Sequence, residues 1–238
     1  MRFAESDALT MAWRELVDLR SDAAVVVVAL GSACGLPLYL GYLAAAQRLI
    51  PSHIGAWTLE VTLAQVFVAS TTALQGLALE REQGSLVPLL LTPASDLALF
   101  LGKVLPSILL SVAQAAVALL LFAGVLAMGN PAMLPRLDPS ALLVTVSGTV
   151  SAAMMCAGIG VSVGSRLRSS RAIALALTLI SLGVVSLEST LGLWTLFDPI
   201  GRALALDVAI TQPALGLATL FVSATLYQRS KLVKRLWR

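Results

Sequence analysis

The run Val104–Pro135, "VLPSILLSVAQAAVALLLFAGVLAMGNPAMLP", contains no Asp, Glu, Lys, Arg or His. An α-helix rises about 1.5 Å per residue, so roughly 20 such residues cross a hydrocarbon core of about 30 Å. This run is longer than one crossing requires, so it holds a membrane span together with part of a loop. Working outward, five more charge-free runs appear at 23–47, 61–79, 139–165, 172–187 and 208–228. Of these, 172–187 is short unless its helix continues past Glu188 to Leu193.

The composition agrees with the runs. Of 238 residues, 58% are hydrophobic and 12% charged, and the mean hydropathy is +0.90. That leaves too little polar surface to cover a water-soluble globule of this length. The expected fold is therefore all-α and integral to the membrane, a single transmembrane domain over 1–238. Its six transmembrane helices fall at about 23–43, 56–79, 97–127, 140–164, 172–193 and 208–228.

Basic residues set the orientation. With the N-terminus inside, Arg2, Arg14, Arg20, Arg81, Lys103, Arg166, Arg168, Arg171, Arg229, Lys231, Lys234, Arg235 and Arg238 are cytoplasmic, leaving only Arg48, Arg136 and Arg202 outside. This asymmetry predicts a multi-pass protein of the cell membrane with both termini cytoplasmic. The net charge of +3 then reflects topology and the lipid bilayer, not a nucleic-acid partner.

Before the first span, Met1–Asp22 alternates charges and reaches no apolar core of a leader, so no cleavable signal is expected. Within it, Leu9, Ala12, Trp13, Leu16 and Val17 share one helical face, with Asp7, Arg14, Glu15 and Asp18 opposite. That pattern predicts an amphipathic helix over 6–22 lying along the membrane interface.

Catalytic patterns are missing. There is no His-Glu-x-x-His, no Gly-x-Ser-x-Gly and no phosphate-cradling loop, since "LGKV" at 101–104 lacks the upstream glycine and the following Ser or Thr. Cys34 and Cys156 lie inside spans without metal spacing, and His53 stands in an outer loop with no second imidazole near it. No metal or cofactor site is expected on this chain.

Two spans carry small and polar stripes. In the second, Thr58, Thr62, Gln65, Ala69, Thr72 and Gly76 fall within about 80° on a helical wheel. In the fourth, Ser147, Ser151, Gly158, Ser162 and Ser165 do the same. Such faces avoid lipid and serve a translocation path, a dimer seam or plain helix packing. Glu60 points almost opposite the second span's stripe and reads as snorkelling to headgroups. Glu188, Asp198, Arg202 and Asp207 group around the outer connection before the last span, where Trp194 is an interfacial anchor and the carboxylates would shape an outer mouth.

The segment "EREQGSLVPLLLTPASDLALFLGK", Glu80–Lys103, separates the second and third spans. Charge at Glu80, Arg81 and Glu82 takes the chain out of hydrocarbon, and Gly84 permits a helix stop. Ser85 can cap a short helix with Leu86, Leu89 and Leu90 on one face, Pro88 tolerated in its first turn, and Thr92-Pro93 ending it. Ser95 or Asp96 then caps the third span, and Pro106 lies early within it.

These residues resemble the type-2 permeases of ATP-binding-cassette exporters. That family's second span commonly ends in Glu-Arg-Glu-x-Gly-Thr-Leu-Glu, followed by Leu-Leu-x-Thr-Pro-x-Ser and by Leu-Gly-Lys opening the third span. The matching residues here are Glu80, Arg81, Glu82, Gly84, Leu86, either Leu89 and Leu90 or Leu90 and Leu91, Thr92, Pro93, Ser95, Leu101, Gly102 and Lys103. Ser85 and Val87 depart from the pattern; Val87 stands where the family has its final carboxylate, and Pro88 follows it. The resemblance implies that the short helix is a coupling helix docking on a separate cytoplasmic ATPase, which binds ATP and Mg. It also implies a second permease, either another copy or a paralogue, paired around an export path. The competing expectations are a secondary transporter or channel without an ATPase, and a membrane-embedded enzyme or scaffold, which the missing nucleophile, base and metal cluster disfavour.

Overall fold

The charge-free runs become helices because a backbone in hydrocarbon must satisfy its own N–H and C=O groups. The computed structural model describes residues 2–21, 23–46, 53–82, 94–136, 138–167 and 169–227. Among them the regular elements are all helical: α1 (Arg2–Ser21), α2 (Ala23–Ala45), α3 (Ile54–Glu82), α4 (Asp96–Gly129), a 3-10 turn (Pro131–Arg136), α5 (Pro139–Gly164), α6 (Ser170–Phe197), the short α7 (Pro199–Ala203) and α8 (Ala205–Leu226). Six of these, α2, α3 over Ile54–Gln75, α4, α5, α6 and α8, are long and apolar enough to cross a membrane. The architecture is that of an all-helical, multi-pass membrane protein.

Short polar side chains start the helices. Ser95 Oγ accepts from Ala98 N at 3.1 Å at the head of α4, and Ser169 Oγ accepts from Ala172 N at 3.1 Å at the head of α6. Asp138 precedes Pro139 at the start of α5, so an orphan donor is capped and a missing one tolerated. Between α6 and α7, Asp198 Oδ1 accepts from Ile200 N at 2.7 Å. Gly201 then passes so close to α6 that an added Cβ would lie 2.6 Å from Trp194 O.

α3 and α5 are the inner helices, while α2 and α8 lie at the periphery. Three apolar clusters stack along the bundle. Leu74, Phe100, Val104, Ile173, Leu177 and Tyr227 pack where α4 begins. Leu59, Leu63, Val66, Ala152 and Val184 form the second. Val61, Ala118, Phe122 and Leu126 pack toward the far end of α4. Outer faces stay apolar as well: Val27, Leu120 and Phe221 are exposed, as expected where lipid is the solvent.

α6 runs through Glu188, as a span over 172–193 requires, and ends at Phe197, while α3 runs on to Glu82 and takes Glu80, Arg81 and Glu82 into its last turn. The expected coupling helix falls on 83–93, outside the described residues, and with it Gly84, Leu86, Leu89, Leu90, Thr92 and Pro93. The N-terminal helix does form, but its apolar face is divided. Ala8 and Ala12 are buried, whereas Leu9, Trp13 and Val17 are exposed. Met11 sits against the bare backbone of Gly102, where a Cβ would lie 2.7 Å from Met11 Cβ. Glu15, placed on the solvent face by periodicity, instead accepts from Lys103 Nζ at 2.7 Å. The reason is that α1 rests on the start of α4, where a buried lysine needs a counter-charge.

Candidate functional site

Two polar seams run through the apolar bundle. The first joins α5, α6 and α8. Ser151 Oγ and Glu188 Oε1 share a hydrogen bond at 2.7 Å, and Gln212 Nε2 donates to Glu188 Oε2 at 2.8 Å. Ser147 Oγ in turn donates to Gln212 Oε1 at 2.8 Å. Ser151 Oγ also lies 2.8 Å from the backbone oxygen of Gln212. Ser151, Glu188 and Gln212 are 0%, 1% and 2% exposed, so water is excluded from the network.

Glycines bring the α5 and α8 backbones together around it. A Cβ on Gly216 would stand 3.1 Å from Ser151 Cα, and one on Gly158 would stand 3.0 Å from Leu220 Cδ2. Further along, Ser162 Oγ donates to Ser223 O at 3.0 Å. The fourth span's stripe thus supplies close helix packing within this chain.

Glu188 therefore does not sit with Asp198, Arg202 and Asp207 at the outer connection. It lies nine residues before Phe197, about 14 Å inside the end of α6 at 1.5 Å per residue. Asp198 stands at the α6–α7 turn, Arg202 lies in α7, and Asp207 is exposed in the first turn of α8. Glu60 also changes role: it accepts from Ser189 Oγ, tying α3 to the face of α6 next to that of Glu188. His53 packs edge-on against Phe197 with ring centroids 4.8 Å apart.

The second seam involves α2, α3 and α4. The stripe residues Thr58, Thr62, Gln65 and Thr72 are all buried. The threonine hydroxyls return to their own helix, Thr58 to Ile54 O at 2.8 Å, Thr62 to Leu59 O at 2.9 Å and Thr72 to Val68 O at 2.8 Å. Gln65 alone reaches across, donating from Nε2 to Ser32 O of α2 at 3.0 Å.

On α4, Ser107, Ser111 and Gln114 occupy one buried face, by helical spacing continuous with Ala118. Val61 and Ala118 share a cluster. α3 and α4 run in opposite directions, so Gln65 and Gln114, each one turn further along from that pair, lie at matching depth. Here the hydrogen bonding is incomplete. Gln65 Oε1, Ser107 Oγ and both amide atoms of Gln114 are buried without a partner among the described residues. A polar group or water placed between these helices would find donors and acceptors already desolvated.

Gln114 and Gln212 were not singled out from sequence. The available signal was an isolated amide in a long apolar run, where each polar side chain must find a partner. Among the described residues, no group of three or more His, Cys, Asp and Glu side chains could hold a metal ion. No protein-family model matches the chain, and no curated protein matches it.

Proposed function

We propose that this chain is the membrane-spanning permease subunit of an ATP-binding-cassette exporter, moving a substrate out of the cytoplasm with ATP hydrolysed on a separate subunit. The observation that carries this reading is the Glu80–Lys103 pattern, which begins in the last turn of α3 and ends in the first turns of α4. The basic asymmetry assigns the end of α3 and the start of α4 to the cytoplasm, the side on which a soluble ATPase would meet the pattern. In this reading Leu86, Leu89 and Leu90 dock on the ATPase, which holds ATP and Mg, and a second permease completes the path. The interfacial role of α1 belongs to the same proposal, with exposed Leu9, Trp13 and Val17 entering the headgroup region. Thr58, Thr62, Gln65 and Thr72 mark the helix nearest the path, and the unpartnered amides of Gln65 and Gln114 give it polar contacts at depth.

A second reading, a secondary transporter without an ATPase, is favoured by the buried carboxyl of Glu188, because ionisable groups inside spans commonly serve coupled transport. The two separate on purification in lipid. The permease reading expects no ATP hydrolysis by the chain alone and regulated turnover of a bound nucleotide-binding subunit; hydrolysis by the isolated chain rejects it. Leu89→Asp should weaken ATPase binding at least about tenfold, since about 1.4 kcal/mol corresponds to a decade and burying an unpaired carboxylate costs more. Normal abundance with normal ATPase binding in that variant rejects the docking role. Glu82→Gln should lower stimulated turnover more than assembly.

A further inference from the structure

We propose that Glu188 is a proton-binding site, holding its proton while α5, α6 and α8 are packed and donating it to Ser151. The argument is a count of hydrogens. Ser151 has one hydroxyl hydrogen but lies 2.7 Å from Glu188 Oε1 and 2.8 Å from Gln212 O. With Glu188 ionised, that hydrogen serves one acceptor well, or both through a weak three-centre bond, and the other contact sets two oxygens together without a proton. With Glu188 protonated, the count closes. The acid O–H donates to Ser151 Oγ, Ser151 donates to Gln212 O, and Gln212 Nε2 donates to the remaining acid oxygen at 2.8 Å.

Charge leads to the same state. Glu188 is 1% exposed, and no basic side chain pairs with it among the described residues. An ionised carboxylate in such a place is costly unless a cation compensates it. The titratable groups nearest its level on the surrounding helices are Cys156 on α5, Glu60 on α3 beside the neighbouring Ser189, and Asp207 on α8, while Arg171 lies 17 residues away at the head of α6 and Arg81 at the far end of α3. None of the three nearest groups supplies a positive charge. Gly148 closes the remaining side, where a Cβ would lie 3.4 Å from Gln212 Nε2 and 3.8 Å from Glu188 Oε2, so the site accommodates a proton rather than a larger cation. The inference holds whether or not an ATPase drives the chain.

Infrared spectroscopy of the full chain in lipid at neutral pH tests this. The parent should show the carbonyl band of a buried, hydrogen-bonded carboxylic acid that disappears in Glu188→Gln. The same band should shift in Ser151→Ala, which removes the acceptor. Because glutamine keeps the shape of a neutral acid and can donate to Ser151 while accepting from Gln212, Glu188→Gln should accumulate and unfold as the parent does. A spectrum in which Glu188→Gln removes only carboxylate bands overturns the proposal, and so does a Glu188→Gln chain that fails to fold.

Discussion

The two polar seams differ in what they leave unmade. Between α5, α6 and α8, Ser147, Gln212, Glu188 and Ser151 form an unbroken chain of contacts. Between α3 and α4, Gln114 has neither amide atom bonded and Gln65 has one of two. Both seams are buried in apolar surroundings, so the same desolvation is offset in one and left standing in the other. A polar residue inside a membrane is therefore not a single kind of signal. The completed seam fixes three helices against each other, while the incomplete one leaves bonding capacity unused among the described residues.

Substituting leucine for each glutamine in turn exposes this difference, because the shape is nearly kept while the amide is removed. Gln212→Leu should be the most damaging. It removes the partner of Glu188 Oε2 and leaves Ser147 only Val144 O, and unfolding in lipid or detergent should show a loss of about 2–3 kcal/mol. Glu15→Gln should cost about 1–2 kcal/mol, because the pair with Lys103 is partly buried but Lys103 keeps its other contacts. Gln114→Leu should have the opposite sign, a gain of about 1 kcal/mol in stability, since two unsatisfied atoms vanish. If the incomplete seam lies on the transport path, that stabilised variant should transport less. Gln65→Leu should fall between the others, within about 0.5 kcal/mol of the parent, as one bond to Ser32 O and one unpaired oxygen are removed together. A destabilised Gln114→Leu would end the distinction between the seams.

How much of this was legible in the sequence depends on the physics behind each feature. The six spans were readable because hydrocarbon demands long apolar runs, and Ser95 as a cap was readable because its role is local. The stripe of Ser147, Ser151, Gly158 and Ser162 was visible as a face, since helical angle fixes which residues point together. It could not say which helix lies opposite. Glu188 was therefore grouped with Asp198 and Asp207, its neighbours along the chain, although its partners lie 37 residues before it and 24 after it. Glu15 was misread for a related reason: amphipathic pattern assigns polar residues to solvent, and only the tertiary contact with α4 supplies Lys103.

The length of α4 has a mechanical consequence. Its 34 residues rise about 51 Å, against a hydrocarbon thickness of about 30 Å, so it tilts steeply or carries whole turns into the headgroup layers. Motion applied at its first turns is transmitted along a continuous rod to the far side, with its easiest bend at Pro106, where the ring removes a hydrogen bond. Because Met11 and Glu15 grip Gly102 and Lys103 just before that point, α1 holds the short arm of a lever whose long arm carries Gln114.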